Sequence, residues 1–393
     1  MRNVLSKGER VAGIASFELS AVDLPFRKPF KHAAAERTSS YSLFLKCTTD
    51  SDTVGFGESL PREYVTGESR ASAFAMLRDE ILPRLLDQRF ESMQEVESFL
   101  NRCDGQAPGW VAAQVPQTAA WCAVDLALLD AFGKTFGARA LSTESTTLSA
   151  DFRYSGALSA DKGWRLVKSA LKQRLFGIRQ VKLKVDDAED VKAVRLLRQV
   201  FGRNFDVRVD ANMAWDVEQA IHAMRDMARY GVQSFEQPIA AEDIEGLARL
   251  VAETQLGVMV DESLTTRASL QRLIGTKACT AANVRISKCG GLVAAFNRAR
   301  ETLDAGLVLQ FGCQVGESSL LSAAHLRLAQ AVQPVTYAEG CFGLFLLRED
   351  PVVPLLQFGY GGRPPQVPEG NGLGVNVDEN VLARWTVEKA RVG

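Results

Sequence analysis

The sequence predicts an α/β protein: a modified (β/α)8 TIM-type barrel with a separate α+β unit before it. From about residue 150, short apolar runs end in polar residues, and amphipathic helical stretches that end at glycine separate them. The polar ends are evenly spaced: 26 residues from Lys184 to Asp210, 26 to Glu236, 25 to Asp261 and 27 to Lys288. Strands that alternate with helices at this spacing are typical of a closed parallel barrel.

The eight predicted strands lie in residues 152–158, 178–185, 205–210, 232–237, 257–262, 282–288, 307–312 and 335–340. The chain before them lacks this rhythm and ends in a long alanine-rich segment, "TAAWCAVDLALLDAFGKTFG", which predicts a buried helix. We therefore expect an α+β domain over residues 1–135 and a barrel over 136–340. The Pro- and Gly-rich tail, residues 341–393, is expected to pack back on the first domain.

Composition narrows the class of protein. The 393 residues include 46 Lys and Arg against 47 Asp and Glu, so no basic surface favours nucleic acid or an anionic membrane. The first residues, "MRNVLSKGERVAG", have no apolar core of signal-peptide length, and the seven cysteines form no CxxC pair. We expect a cytoplasmic protein with reduced thiols. Three scattered histidines argue against a histidine-built zinc site.

The second predicted strand carries two lysines on one face. In "IRQVKLKV", Val181, Leu183 and Val185 alternate with Lys182 and Lys184. In a barrel the aliphatic face suits the helix layer, so both lysines point inward near the carboxyl end of the strand. Two such ammonium groups repel each other and lose hydration, which predicts lowered pKa values and a neutral base. Taken alone, this segment fits an edge strand with a solvated lysine face better.

Acids close the next three strands. Asp210, Glu236 and Asp261 each end an apolar run, and three carboxylates at one barrel mouth would repel each other without a cation among them. Such hard oxygen ligands predict Mg²⁺, with Mn²⁺ as an alternative. Any one of the acids could instead cap a helix. Lys288 ends the sixth run, so lysines are expected to face each other across the metal.

This arrangement indicates a reaction class. A carboxylate substrate bound to the metal can lose its α-proton, because the metal and the ammonium groups stabilise the enediolate that forms. The enediolate can then be reprotonated on the other face or lose a β-substituent, and it can also arise by addition and ring closure.

With these motifs the sequence resembles the enolase superfamily, specifically the muconate-lactonizing subgroup of the mandelate racemase/muconate lactonizing enzyme family. The resemblance spans nearly the whole chain and implies a capping domain formed by the N-terminal region and the tail. It implies Lys184 as an acid/base with Lys182 as its auxiliary, and Lys288, in "SKCGG", as the opposing acid/base. It also implies that the Mg²⁺ ligands are Asp210 in "DAN", Glu236 in "EQP" and Asp261 in "DES". The seventh strand, "GCQVGES", has no histidine, which argues against the mandelate-racemase subgroup.

The resemblance implies an Mg²⁺-dependent isomerase that acts on a small carboxylate, either as a muconate cycloisomerase or as a racemase or epimerase of dipeptides or N-acylamino acids. The alternatives are a β-elimination dehydratase of the o-succinylbenzoate synthase type and a non-catalytic anion-binding barrel. We expect no nucleic-acid or membrane partner. We expect the protein to form a homo-oligomer.

Substrate contacts are predicted from the strand ends and from two capping-domain loops, residues 24–33 and 61–69. Their cationic and aromatic residues indicate an anionic or extended acyl substrate. The eighth strand, "YAEGCFG", lacks the Asp-x-Asp with which Ala-Glu epimerases hold the substrate ammonium. The candidate contact residues are Asn212, Glu317, Arg27, Tyr64 and Phe26.

Overall fold

A computed structural model of the chain describes residues 11–32, 35–109, 115–141, 147–159, 161, 163–187 and 190–393, without the side chains of residues 30–36. The N-terminal part contains strands β1 (Ala12–Val22), β2 (Pro25–His32), β3 (Ala35–Ser39), β4 (Ser42–Thr49), β5 (Val54–Ser59) and β6 (Arg89–Phe90). Its helices are α1 (Glu63–Thr66), α2 (Arg70–Met76), α3 (Leu82–Leu85), α4 (Met93–Cys103) and α5 (Thr118–Phe136), with a π-helical turn at Leu77–Ile81. Strands β2 and β3 form a hairpin, and β1, β4 and β5 form an antiparallel sheet.

Helix α5 is the predicted alanine-rich helix, and its residues from Thr118 to Gly133 are buried. It packs on β5, where two glycines let the helix and the strand approach closely. A Cβ added at Gly57 would lie 1.9 Å from the carbonyl oxygen of Ala123, and one at Gly55 would lie 2.1 Å from the backbone nitrogen of Ala131. The helix and the strand are therefore in backbone contact, and no larger residue fits at these two positions without a shift.

Eight parallel strands follow in the order of the chain: β7 (Gly156–Leu158), β8 (Gln180–Lys184), β9 (Asp206–Asp210), β10 (Ser234–Glu236), β11 (Gly257–Val260), β12 (Ala281–Val284), β13 (Val308–Phe311) and β14 (Tyr337–Ala338). The helices between and beside them are α6 (Trp164–Leu175), α7 (Val191–Phe201), α8 (Val217–Ala228), α9 (Ile244–Thr254), α10 (Arg267–Gly275), α11 (Ile286–Cys289), α12 (Leu292–Asp304) and α13 (Ser319–Ala331). Each strand pairs in parallel with the next one along the chain.

The first and last strands of this sheet close it into a barrel. Tyr154, just before β7, forms a parallel bridge with Ala338 of β14, and the amide of Ser155 donates to the Ala338 carbonyl at 2.8 Å. In a closed barrel of eight strands, β8 and β12 lie on opposite walls, because three strands separate them on either side. The predicted α/β barrel with an α+β unit before it is confirmed.

The segment after the barrel adds β15 (Val352–Val353), β16 (Asn376–Val377), α14 (Glu379–Trp385) and β17 (Thr386–Val392), with short 3₁₀ turns at Gly343–Phe345 and Tyr360–Gly362. Strand β17 returns to the N-terminal sheet and pairs antiparallel with β1, so that the sheet runs β17-β1-β4-β5. The exact domain boundaries stay predictions. None of the described helices has the length and apolar character needed to cross a bilayer.

Candidate functional site

A cavity of about 200 Å³ lies at the carboxyl ends of the barrel strands. The barrel supplies most of its walls, and Arg37 and Tyr64 of the N-terminal part lie over its mouth. A mainly apolar side is formed by Phe342, Phe345 and Leu346, from the segment after β14. The polar walls consist of Lys182, Lys184, Asn212, Glu262, Arg285, Cys313, Gln314 and Glu339. Active sites of this fold lie at this end of the barrel.

Sheet register brings the predicted residues side by side. Lys184 of β8 is paired with Asp210 of β9, and Asp210 is paired with Glu236 of β10. Asp261 directly follows β11. The side chains of all three acids are at most 1 % exposed. The three predicted metal ligands therefore lie at the ends of three neighbouring strands, and Lys184 lies on the strand beside them.

Lys182 is enclosed by carboxylates. Its Nζ lies 2.7 Å from Glu339, 3.2 Å from Glu236 and 3.3 Å from Asp210. Burial alone would lower the pKa of Lys182, but these three charges together outweigh burial and raise its pKa well above the usual value. The prediction of a lowered pKa is therefore wrong for this lysine, since it considered repulsion and lost hydration but not the carboxylates around Lys182. The solvated lysine face is excluded too, because Lys182 is 4 % exposed.

The second lysine has a more open environment. The Nζ of Lys184 donates to Oδ1 of Asn212 at 2.9 Å and lies 3.8 Å from Asp210, and its side chain is 24 % exposed. Asn212 in turn donates through its side-chain amide to Glu262 at 3.3 Å. Lys184 thus has one neutral partner and one acid beside it, whereas three acids surround Lys182.

Glu262 is an acid on the cavity wall to which the sequence analysis gave no role. Burial raises its pKa to about 8, with the neighbouring Asp261 adding to the shift. Its Oε2 has no hydrogen-bond partner among the described residues. A signal was available, because Glu262 follows Asp261 directly in the "DES" motif.

Glu236 lies at the centre of a buried hydrogen-bond network. Asn283 donates to its Oε1 at 2.8 Å and Gln310 donates to its Oε2 at 3.1 Å. Burial by itself would raise the pKa of Glu236, but the charges of Lys182 and Arg285 lower it overall. Cations on both sides therefore hold this carboxylate ionised.

The structure corrects the placement of Lys288. This residue lies in α11, the single helical turn after β12, and its side chain is fully buried. Its Nζ contacts Oδ1 of Asp261 at 2.7 Å and donates to the carbonyl oxygens of Asp261 and Asn283 at 2.5 and 2.9 Å. Lys288 is absent from the described cavity lining, so the prediction that it faces Lys184 across the cavity is wrong.

Arg285 occupies the wall where Lys288 was expected. It directly follows β12, lines the cavity and donates through Nη2 to Oδ2 of Asp261. The predicted strand ran to residue 288, but the chain leaves the sheet after Val284. The signal for Arg285 was its position as the first charged residue after the apolar run.

Two of the predicted substrate contacts line the cavity, and three do not. Asn212 and Tyr64 are on its surface. Arg27 donates through Nε to the carbonyl of Leu347 at 3.2 Å, Phe26 forms a bridge with Leu347, and both are outside the described cavity lining. Their hairpin packs on the segment after the barrel, a tertiary contact that loop composition does not reveal.

Glu317 is the third predicted contact that lies away from the cavity surface described here. It is half-buried and accepts the backbone N–H of Gln314 at 2.6 Å, so it shapes the loop that presents Gln314 to the cavity. Burial raises the pKa of Glu317 to about 8. The predicted direct contact is therefore replaced by a supporting position.

Comparisons with known proteins agree with this fold. The family model described as enolase C-terminal domain-like matches residues 165–381, more than half of the chain. N-succinyl-L-Arg/Lys racemase of Bacillus cereus is 26 % identical over 95 % of this chain and 98 % of its own length, and its crystal structure superposes with a TM-score of 0.87, covering 97 % of this chain and 100 % of that one. Muconate cycloisomerase 1 of Rhodococcus opacus is 27 % identical over 95 % of this chain and 98 % of its own length.

A further solved structure shares the fold. The dipeptide epimerase of Cytophaga hutchinsonii, complexed with Mg and the dipeptide D-Ala-L-Val, has a TM-score of 0.85 at 24 % identity and covers 97 % of this chain and 100 % of that one. The relatives include racemases, epimerases and cycloisomerases, which are isomerases of the enolase superfamily, and an o-succinylbenzoate synthase. The predicted resemblance is confirmed, and the chain belongs to the enolase C-terminal domain-like family.

Proposed function

We propose that this protein is an Mg²⁺-dependent enzyme that removes the proton α to the carboxylate of a small anionic substrate. The observation that carries the proposal is the register of Lys184, Asp210 and Glu236, which sets an amine of the cavity wall beside two buried carboxylates. The isomerases among its relatives support the same reaction class.

The residues at the strand ends fit a divalent cation. Asp210, Glu236 and Asp261 offer hard oxygen ligands, and Oδ2 of Asp210 is buried without a hydrogen-bond partner among the described residues. Lys182 and Arg285 neutralise these acids in the structure, and no ready-made group of three metal-ligating side chains occurs in the described part of the chain. Binding therefore requires these cations to share the carboxylates with the metal.

When bound, Mg²⁺ would supply positive charge to the substrate carboxylate and so favour loss of the α-proton. Lys182 and Lys184 have different roles in this step. Lys182, enclosed by three acids, stays an ammonium group and adds a fixed positive charge near the substrate carboxylate. Lys184, which is partly exposed and is held by Asn212, is the amine that accepts the proton.

The charges of the cavity support an anionic substrate with an apolar portion. Four cations line it: Arg37, Lys182, Lys184 and Arg285. Of the two acids on its surface, Glu339 contacts Lys182 and Arg208, and Glu262 accepts from Asn212 through Oε1 only. The four cations therefore outnumber the acids on the cavity surface, which favours an anionic substrate. The phenylalanines of the segment after β14 offer surface for an acyl or aromatic group.

Hydrogen exchange in D₂O tests the proposal. A panel of N-acylamino acids, dipeptides and muconates is incubated with the protein, with and without Mg²⁺, and α-deuterium is followed by NMR. Exchange is expected only with Mg²⁺ and is expected to disappear in Lys184→Met, whereas Lys168→Met, which removes an exposed lysine of α6, retains it. A muconate that closes to a lactone, or a substrate that loses water, identifies the subtype.

Metal binding is tested separately by thermal unfolding. Mg²⁺ is expected to raise the melting temperature of the parent protein and to have no such effect on Asp210→Asn. If the parent protein neither responds to Mg²⁺ nor exchanges any member of the panel, the non-catalytic anion-binding barrel is the better description.

A further inference from the structure

The wall opposite the lysine pair carries a guanidinium group. Lys182 and Lys184 are on β8, and Arg285 directly follows β12, the strand across the barrel. All three side chains line the same cavity, whereas Lys288 is buried behind Asp261. The side chains that face each other across the cavity are therefore two amines on one wall and an arginine on the other.

Contacts fix the position of this arginine. Its Nη2 donates to Oδ2 of Asp261 and lies 3.7 Å from Oε1 of Glu236, and its Nη1 donates to Gln314 at 3.3 Å. Lys182 approaches the same Oε1 of Glu236 at 3.2 Å. Glu236 thus contacts both the amine of the β8 wall and the guanidinium group that follows β12.

An amine and a guanidinium differ in what they can do at a carbon atom. A lysine can lose its proton and act as a base, whereas an arginine in a protein keeps its proton and serves only as a hydrogen-bond donor and a positive charge. Of the other groups near Arg285, the amide of Gln314 does not exchange protons with carbon, and burial raises the pKa of the Cys313 thiol so that it stays protonated. Two further groups lie near Arg285: Tyr64, from the N-terminal part, and Glu262, which accepts from Asn212, the partner of Lys184.

We propose that Arg285 confines proton transfer at the substrate α-carbon to the face that the β8 lysines reach. This inference rests on the proposed function and decides between its branches. Inversion of the α-carbon needs a second group that delivers a proton to the opposite face, and in the described structure β12 and the turn after it present only Arg285 to the cavity. The reaction class that remains is elimination, or its reverse, an addition that can close a ring.

The elimination balances with the groups present. The α C–H bond breaks and its proton goes to the lysine amine, while its electron pair forms the new C=C bond. The β-substituent leaves with the electrons of its own bond and takes up a proton from the same lysine wall. Ring closure runs the same steps backwards: a substrate oxygen adds to the double bond and the lysine ammonium protonates the α-carbon. No oxidant or further reactant is needed.

The test uses both enantiomers of a substrate that exchanges its α-proton in the D₂O panel. The parent protein is expected to label one enantiomer with retention of configuration and to leave the other unlabelled. Interconversion of the two is expected to be at least about 100-fold slower than exchange, the lower end of what a positioned acid or base contributes. Interconversion at a rate comparable to exchange would overturn the inference while leaving the proposed function intact.

Two variants sharpen the result. Arg285→Lys places an amine on the opposite wall and is expected to raise interconversion relative to exchange at least tenfold, whereas Arg285→Gln, which removes the charge without adding a base, is not. An Arg285→Lys protein that folds, exchanges and still does not interconvert the enantiomers counts against the inference. If neither variant folds, the parent measurement decides alone. Absence of exchange with every panel member would instead refute the proposed function.

Discussion

Asp125 holds a junction between the two parts of the molecule, and its replacement gives a sharp test of the packing. This residue of α5 is buried, and its Oδ1 accepts the N–H of Leu292 at 2.6 Å, the first residue of α12. Helix α12 has Gly291 as its N-cap residue, and a Cβ there would lie 2.2 Å from Cγ of Asp125. The carboxyl group from the other domain thus takes the place of the missing capping side chain.

The expected cost follows from these contacts. Asp125→Ala leaves the buried N–H groups of Leu292 and Val293 without their acceptor, at about 1–3 kcal/mol each. The free energy of unfolding should therefore fall by about 2–6 kcal/mol at pH 6. Asp125→Asn keeps one acceptor oxygen and should lose less than about 2 kcal/mol. Asp87→Ala, the same change at an exposed site, should lose less than about 0.5 kcal/mol.

The dependence on pH gives the refuting measurement. Burial raises the pKa of Asp125 to about 8, although the N–H groups of Leu292 and Val293 lower it in part, whereas an unfolded aspartate titrates near 3.9. The folded state therefore binds this proton more tightly than the unfolded state does. As pH rises from about 4 to 8, the contribution of Asp125 to the free energy of unfolding falls by up to about 1.4 kcal/mol per pH unit. In urea unfolding followed by fluorescence, the advantage of the parent protein over Asp125→Asn should shrink from pH 5 to pH 8. A constant difference would show that Asp125 is an ordinary ionised cap and refute the reasoning.

Three further outcomes are expected. Lys182→Met removes the cation shared by three buried acids and should lower the free energy of unfolding by about 3–5 kcal/mol in the presence of a chelator; unchanged urea unfolding would contradict the network. Gly57→Ala pushes a Cβ against α5 and should lower the free energy of unfolding by about 1–3 kcal/mol or more. Gly109→Ala, where a Cβ would have no heavy atom within 4 Å, should lower it little. Equal melting temperatures of the two variants would argue against the close contact between α5 and β5. Lys184→Met should abolish exchange but leave urea unfolding near that of the parent protein, since its side chain is partly exposed.

The sequence was sufficient for the barrel and for most of its mouth. Strand spacing and an acid at each strand end placed Asp210, Glu236 and Asp261 together, because parallel strands in register deliver their ends to one rim. The sequence was insufficient where a tertiary contact determines the environment of a side chain. The pKa of Lys182 depends in part on Glu339, which lies at the end of the eighth strand. The prediction did not take this contact into account.

The error at the sixth strand has a similar origin. Two charged residues follow the apolar run, Arg285 and Lys288, and the alternation of the run does not show where the chain leaves the sheet. The structure ends β12 at Val284, which leaves the arginine at the rim and turns the lysine into the protein interior. A helical turn of four residues is too short to be seen by periodicity.

The pairing of β17 with β1 has a consequence for biosynthesis. Strand β1 is made first, but its partner β17 leaves the ribosome only after the entire barrel has been translated. Until then β1 has one unpaired edge, and most of its residues are of the kind that the finished protein buries. Such an edge can pair with strands of neighbouring nascent chains, which leads to aggregation. A nascent protein stalled or truncated ahead of β17 should thus depend on chaperones far more than the complete chain does.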